Sequence, residues 1–491
     1  MSKALSTVAG VVVIGAAAIT GVAWYTGTQV EPQLRQQVTE ANRQLKASLA
    51  GQAVTAQVEM TGFERHVFTS TAQYVATVQG PTFNGGAPLR VEALGTIEHG
   101  PFPWSRVKGL NLMPVLAVAD YQVQSQPELS QWWGMAAGQA PLRLRAAVGY
   151  DRSVNATFAV LPAFWQASQG SVKFSGLEGN VEGTLDGHTL EMNARIGTLD
   201  LTNGGLERPG TLQLKDLSLH TGGIKGESGF YLGTNEAQVA YLRFISPDGP
   251  TLALSKLGFV GSLEELQGKL KGAMDYRVEQ ATIGNQPIGS LQMRWLFDQL
   301  DITATRELAA FYQNVITPQA QAAAQSNTPF EPRLTPEQEA QWQASLQRLL
   351  AGHPRLELAP LGLKTPNGES HLNLAVDFTQ PANPNLPPEQ QLQQLITRLD
   401  AKLLLAKGTV RDLATLQGQM QGATDPNTLA KYADSTANMI ATLATFQGLA
   451  KVEGESILSA LHYENGMVDF NGQKMTGEAF AAFVMSALQM R

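Results

Sequence analysis

Two hydrophobic periods divide this chain. From Val54 to Met60 apolar and polar residues alternate: Val54, Ala56, Val58 and Met60 on one side, Thr55, Gln57 and Glu59 on the other. Phe68–Val78 repeats the pattern with Phe68, Ser70, Ala72, Tyr74, Ala76 and Val78. A period of two sends successive side chains to opposite faces of a strand. The same period returns at Leu190–Ile196, Leu212–Leu219, Leu252–Val260 and Leu372–Phe378. Inside Leu212–Leu219 the phase slips at Lys215-Asp216, as at a bulge. Asn84-Gly85-Gly86, Asp186-Gly187, Asn203-Gly204-Gly205, Asp248-Gly249 and Asn367-Gly368 supply turns between the runs. Residues 51–300 therefore predict long antiparallel strands in a meander, half apolar and half neutral-polar, as one-sided sheets are.

After Asp301 the period changes. Leu308, Phe311, Tyr312 and Val315 share one side of a predicted helix over Ile302–Ile316. Thr317–Leu334, rich in Ala, Gln and Pro, reads as a loose surface loop. Thr335-Pro336-Glu337-Gln338 is a helix start with a capping box, and Trp342, Leu346 and Leu349 then face inward. Gln380–Pro388 reads as a linker, followed by a helix around Leu392, Leu395, Ile396 and Leu399. Asp425-Pro426 opens a helix to about Phe446, with Leu429, Ala433, Ile440 and Leu443 as its stripe. Glu455–Phe470 is a hairpin across Asn465-Gly466. Phe480, Phe483, Val484 and Leu488 mark a terminal helix. Residues 301–491 thus predict an α+β region with helices on a sheet.

The first fifty residues follow neither strand pattern. Leu5–Tyr25 is apolar, and no charge occurs from Ala4 to Val30. A bilayer core needs about 20 such residues in a helix. Trp24 and Tyr25 close the run where aromatic rings favour the headgroup level. Residues 1–27 are therefore expected to anchor the chain as a single transmembrane helix. Lys3 precedes the run and no Lys or Arg follows until Arg35, which directs the body outward, into the periplasm of a bacterial inner membrane. A cleaved signal peptide is the rival reading. Ala16-Ala17-Ala18 offers a cleavage site, but the run continues past the usual h-region of about 7–15 residues. Leu34, Val38, Ala41, Leu45 and Leu49 then recur at helical spacing, so residues 28–50 predict a juxtamembrane amphipathic helix. It either packs on the body or pairs as a short coiled coil, which leaves a homo-oligomer open.

Composition sharpens this picture in three ways. Hydrophobic residues make up 43% and charged residues only 16%, against the usual quarter, so the polar faces are largely neutral. The net charge of −7 comes with no basic stripe, which argues against nucleic acid as a partner. The absence of Cys removes disulfides and thiolate metal sites.

Candidate chemistry is sparse. The seven His form no H-x-H or H-E-x-x-H pair, so no metal or other cofactor is expected. Gly222–Gly229 lacks the G-K-[ST] ending of a phosphate loop and reads as a glycine-rich strand. Ser105-x-x-Lys108 has no companion motif. Arg65, between Phe63 and Phe68, is expected in a structural ion pair or, alternatively, in recognition. His99–Trp104, with prolines on either side of Phe102, predicts a rigid loop with its aromatics packed beneath it. No catalytic residue is expected.

Strand length raises a different possibility. Phe68–Val78 would run on the order of 35 Å with one apolar face. Several such strands would present more apolar surface than a soluble monomer exposes. Either the helices after Asp301 cover it, or the sheet curls and leaves a trough in which Val58, Phe68, Tyr74 and Val78 meet a lipid or a protein partner.

Four sequence marks, Trp24–Glu31 (WYTGTQVE), Phe63–Ala72 (FERHVFTSTA), His99–Trp104 (HGPFPW) and Tyr463–Met475 (YENGMVDFNGQKM), occur in order along the chain. Together they resemble the YdgA/YihF-like family of bacterial envelope proteins, a domain of unknown function. The residues that carry the resemblance are Trp24, Tyr25, Gly27, Glu31, Arg65, Gly100, Pro101, Gly466, Asn471 and Gly472. Thr28 and His66 depart from the family's usual Lys and Gly. The resemblance implies an inner-membrane-anchored periplasmic protein and brings no catalytic residues. More loosely, a strand-dominated anchored body looks like the AsmA-type envelope proteins. The expected function is therefore non-enzymatic binding of a lipid, another apolar ligand or an envelope protein. A periplasmic hydrolase with a site assembled from distant residues is the alternative.

Overall fold

Alternation of apolar and neutral polar side chains becomes strand wherever it was expected. The computed structural model describes residues 30–49, 54–66, 68–80, 87–167, 170–203, 210–247, 249–325, 328–381, 383 and 394–489. The apolar run Leu5–Tyr25 lies outside these residues. Among the described residues no helix is long and apolar enough to cross a membrane. The chain divides into two units, Met1–Tyr231 with Ala310–Arg333, and Leu232–Ala309 with Leu334–Arg491. The division falls inside the strand-rich stretch, not at the change of period near Asp301.

The first unit opens with the helix α1 (Val30–Ser48). Strands β1 (Thr55–Arg65) and β2 (Thr69–Gln79) form an antiparallel hairpin with Val58 opposite Ala76. β3 (Leu89–His99) pairs with β2. The short helix α2 (Trp104–Lys108) leads to β4 (Ala117–Val123), which pairs with β3. A second short helix, α3 (Ser130–Met135), precedes β5 (Leu142–Val148) and β6 (Ser153–Val160), which extend the meander. β7 (Ala163–Ala167) and β8 (Gly170–Phe174) form a hairpin, and β9 (Leu177–Thr184) returns to β6. β10 (Thr189–Asn203) takes β9 along its first half and β8 along its second, with β11 (Gly210–Lys225) on its other side.

This sheet bends around its own apolar face. One core cluster joins Val58, Ala76, Val91, Val123, Leu142, Val160 and Phe174, drawn from seven strands, with Leu45 of α1 and Trp132 of α3. A second cluster joins Leu34 of α1 to Met60, Ala72, Ile97 and Tyr121. Leu34, Ala41 and Leu45, three of the residues at helical spacing, are buried. Packing on the body is thus the use to which α1 puts its stripe. Asn42 adds direction: its Nδ2 donates to the Val58 carbonyl at 2.7 Å and its Oδ1 accepts from the Val58 N–H at 2.8 Å. The side chain thereby satisfies backbone groups of β1 that would otherwise stay unpaired on that side. Asn42→Ala is expected to destabilise the first unit by about 1–3 kcal/mol, read from its thermal unfolding.

The slip at Lys215-Asp216 takes an unexpected form. Asp216 has φ +51°, yet pairing with β10 continues without offset from Thr198↔Lys215 to Ile196↔Leu217. A left-handed residue, not an inserted one, resets the alternation. Ile196 and Leu199, on either side of the irregularity in β10, both pack on the same core cluster.

The second unit continues with β12 (Tyr231–Ile245), β13 (Leu252–Leu266), β14 (Lys269–Ile283) and β15 (Gln286–Asp301), each antiparallel to the next. Strands of fifteen residues run roughly 50 Å. The chain then becomes helical through α4 (Ile302–Phe311), a π-turn (Tyr312–Ile316) and α5 (Thr317–Gln325), of which the residues from Ala310 on belong to the first unit. The expected loose loop at Thr317–Leu334 is thus corrected over its first half. Ala and Gln are strong helix formers, and Pro318 directly follows the π-turn, where the regular i→i−4 ladder is already interrupted. Thr335 caps α6 (Pro336–Ala351) in the expected capping box.

β16 (Arg355–Thr365), β17 (Gly368–Phe378) and β18 (Ile396–Ala406) add to β15 in order. The expected helix around Leu395 and Leu399 is corrected to β18. Leu399, Ala401 and Leu403 alternate with Arg398, Asp400 and Lys402, and pairing on both edges selects the extended form. α7 (Lys407–Met420) and α8 (Pro426–Phe446) follow, with Asp425 accepting from the Thr428 N–H at 2.9 Å as N-cap of α8. β19 (Lys451–Glu453), β20 (Ser456–Glu464), β21 (Met467–Phe470) and β22 (Gln473–Thr476) complete the sheet. β20 lies on β18, and Asn465 and Gly466, both at positive φ, make the expected tight turn to β21. α9 (Gly477–Gln489) packs Phe480 and Phe483 on Phe470.

α6 is tied to α4 by one carboxylate. Ser345 Oγ donates to Glu307 at 2.8 Å, and Arg348 contacts both its oxygens. These hydrogen bonds, the Ser345 one foremost, hold the Glu307 carboxyl below its ordinary value of 4.5. A carboxyl lowered on folding stabilises above its unfolded pKa and loses that contribution as pH falls. The stability gap between the native chain and Glu307→Gln is expected to shrink as urea titrations move below pH 4.5.

Candidate functional site

The second unit carries a broad apolar sheet face that is exposed in part: the helix α7 packs on β15–β18, and Leu358 and Val376 on this face are buried. Residues directly opposite across paired strands share a face. One row runs Phe259, Tyr276, Met293, Leu361, Leu372 and Leu403 across β13 to β18. A parallel row carries Met274, Trp295, Leu358 and Leu374. At the usual strand spacing the first row is about 25 Å wide. Leu361 is 43% exposed and Tyr276 38%, and Leu291, Leu356 and Leu403 are also exposed. In β12–β15 the only buried residues are Gly261, Leu270, Gly272 and Ala281. The large apolar side chains of those strands are therefore half-buried or exposed, with the exception of Leu270.

A bulge preserves this face. The register shifts between Leu358 and Leu361 against both neighbours, and Ala359-Pro360 take up the extra length. Leu356 and Leu358 before the bulge therefore share a side with Leu361 and Leu363 after it.

The opposite face is polar. Arg355 pairs with Asp377 at 2.8 Å and Arg398 with Asp400 at 2.7 Å. His462 Nδ1 lies 2.7 Å from the same Asp400. Burial pushes the Asp400 carboxyl up, but the bonds from His462 and Arg398 outweigh it and leave the group lowered. β15–β17 also border a depression of about 500 Å³ on this unit, lined by residues that include Gln292, Lys364, His371 and Asn373. Among the described residues no cluster of three His, Asp or Glu is arranged to hold a metal ion.

The residues singled out from sequence lie elsewhere, in the first unit. Val58 and Val78 are buried, Val58 in the core cluster that holds Leu45 and Trp132. Tyr74 packs edge-on against Tyr121 with ring centroids 5.9 Å apart. Burial pushes the Tyr74 phenol up strongly, and that of Tyr121 up to about 12. Phe68 stands apart from these three and is 78% exposed. The structure therefore does not bring the four together. Leu45 and Leu34 of α1 and Trp132 of α3 pack on the apolar side of these strands. The open face was nonetheless signalled by the alternation in Leu252–Val260 and Leu372–Phe378.

The motif residues that are described shape the backbone. Glu31 pairs with Arg35 in α1. A Cβ on Gly100 would collide with the Val115 carbonyl oxygen, and the Pro101 carbonyl accepts from the Val115 N–H at 3.0 Å. Asn471, at φ +54°, accepts from the Ala460 N–H at 2.8 Å and donates to the Leu449 carbonyl at 3.1 Å. Gly472 follows at φ +86°, where a side chain would be strained. Arg65 is exposed at the end of β1, with no ion-pair partner among the described residues, which corrects the expected structural ion pair. Trp24, Tyr25 and Gly27 lie outside the described residues.

Comparison with known proteins gives the same affiliation as the motifs. The chain is 27% identical to Protein YdgA of Escherichia coli (strain K12), covering 100% of this chain and 98% of that protein. It is 24% identical to the uncharacterised protein YihF of the same organism, covering 96% and 97%. An uncharacterised protein of Haemophilus influenzae is 23% identical over 43% of this chain and 57% of its own length. No solved structure matches. Residues 1–478 match a family described as bacterial protein of unknown function (DUF945), and the chain belongs to that family.

Proposed function

We propose that this chain is a non-enzymatic protein of the bacterial envelope, anchored in the inner membrane, whose β13–β18 face binds the acyl chains of a lipid. The observation that supports binding is the apolar row Tyr276, Met293, Leu361, Leu372 and Leu403, in which Tyr276, Leu361 and Leu403 are exposed. Soluble proteins rarely leave a contiguous apolar surface larger than a few hundred Å² without a partner. A long flat apolar strip without convergent charged groups suits a flexible chain better than a compact polar substrate. Leu5–Tyr25 supplies the length of a membrane span, and the uncharged stretch that follows it suits a periplasmic body.

A photo-crosslinking amino acid at Leu361, in the full chain in living cells, tests the binding reading. A lipid adduct, identified by mass spectrometry, is the expected product. Crosslinks only within the chain would overturn it, and a crosslink to another polypeptide would replace the lipid with an apolar protein segment. A C-terminal alkaline phosphatase fusion tests the orientation and is expected to be active.

A further inference from the structure

The first unit carries a second exposed apolar surface, at the end of the sheet where α1 begins. α1 runs antiparallel to β1. Near its C-terminal end, Leu45 packs with Val58, Ala76 and Leu89, whereas Leu34 packs with Met60, Ala72 and Ile97. Val30 therefore lies at the end of the sheet where β1 stops at Arg65, β2 starts at Thr69 and β3 stops at His99. The 29 residues that precede Val30 enter the unit at this end, and they include the apolar run Leu5–Tyr25.

The same end holds the connection between β3 and β4. The His99 N–H donates to the Phe68 carbonyl at 2.8 Å, and the Gly100 N–H to that of Leu116 at 2.7 Å, so Phe68 and this connection are neighbours. Pro103 and Val115 are buried and pin the connection to the unit. The residues between and beside them turn outward: Leu110 is 86% exposed, Met113 72% and Trp104 63%, and Phe102 and Leu112 are exposed too. The expectation that the aromatics of His99–Trp104 pack beneath the loop is thereby corrected. Pro103 takes the inward position, and its neighbours Phe102 and Trp104 face out.

Residues 100–116 carry Arg106 and Lys108 and no acidic residue, in a chain of net charge −7. Lys108 Nζ lies 5.4 Å from the Trp104 ring, and Arg106 braces the loop by donating to Asn111 at 2.7 Å. The nearby carboxylate, Glu98, is engaged by the Ser105 N–H and hydroxyl.

We infer that this end of the first unit rests in the membrane surface. Phe68, Phe102, Trp104, Leu110, Leu112 and Met113 enter the headgroup–acyl boundary, with Lys108 toward anionic lipid phosphates. Aromatic and aliphatic tips flanked by cations are the chemistry of interfacial binding. The inference rests on the anchoring reading, since the span would deliver this end to the bilayer.

The chain contains no Cys, so one introduced Cys reports one position. The full chain bearing Leu112→Cys, labelled with an environment-sensitive dye, is reconstituted in vesicles of phosphatidylcholine and phosphatidylglycerol. Spin-labelled lipid is expected to quench the dye by roughly half, as for a residue in the interface. Glu178→Cys, at the opposite end of the sheet, is expected to stay unquenched. Equal, weak quenching at both positions would overturn the inference, as would a dye at position 112 shielded by a second protein without any lipid quenching. A carbonate wash separates the two readings. A chain that stays in the membrane with position 112 unquenched overturns only this inference; a chain that washes off overturns the anchoring and this inference with it.

Discussion

Trp132→Ala is expected to cost the first unit about 3–5 kcal/mol, the usual penalty for deleting a large buried aromatic. Trp132 is 1% exposed and sits in the core cluster with Leu45, Val58, Leu142 and Val160. Its ring lies 5.9 Å from that of Trp165. α3 is a single short helix, so nothing else on it can fill the volume that the indole vacates. The surrounding strands are held by backbone pairing and cannot collapse far, which keeps the cavity open. The melting transition of this unit should fall by roughly 10 °C in calorimetry. Trp132→Phe should cost less. It keeps much of the volume and removes an indole N–H that is buried without an acceptor among the described residues. Equal losses for Ala and Phe would show that the indole ring's full size, not aromatic filling as such, is what the core requires.

The second large effect concerns binding. Replacing both Leu361 and Leu403 by Asp should reduce lipid capture by at least about tenfold, because a charge on a dry acyl-contact surface must be desolvated. Both residues are more than a third exposed in the free chain, so the fold itself should tolerate the change. They lie in one row with Leu372 between them, so the two charges interrupt the β16–β18 side of the apolar face. Quantifying co-purified lipid per chain, with circular dichroism alongside, separates lost binding from lost structure. Unchanged lipid content in a folded variant would remove this face as the binding surface.

Much of the architecture was legible because it depends on local chemistry. Thr335 and Gln338 close their capping box, Asp425 caps its helix, and Asn465-Gly466 turns its hairpin, each through groups a few residues apart. Alternation located strands for the same reason, since a period of two needs only one buried face. It failed at β18, where Leu395, Ile396 and Leu399 also satisfy a helical spacing and only the neighbours β17 and β20 decide. Composition misled at α5, where Ala, Gln and Pro suggested a loop although the helix runs on through the π-turn into this stretch.

The candidate site divides along the same line. The sequence determined that long one-sided strands carry a large apolar face, which either later helices or a partner must cover, and that a family motif set runs through the chain. It could not say which strands stay open. Val58 and Val78 share the alternation of Leu361 and Leu403, yet the first pair is buried in a bent sheet and the second stays exposed. That difference is tertiary: Leu45 of α1 and Trp132 pack on the face that holds Val58, whereas Leu361 and Leu403 stay more than a third exposed. Periodicity records which face of a strand is apolar, and only the packing of distant segments decides whether that face becomes core or surface.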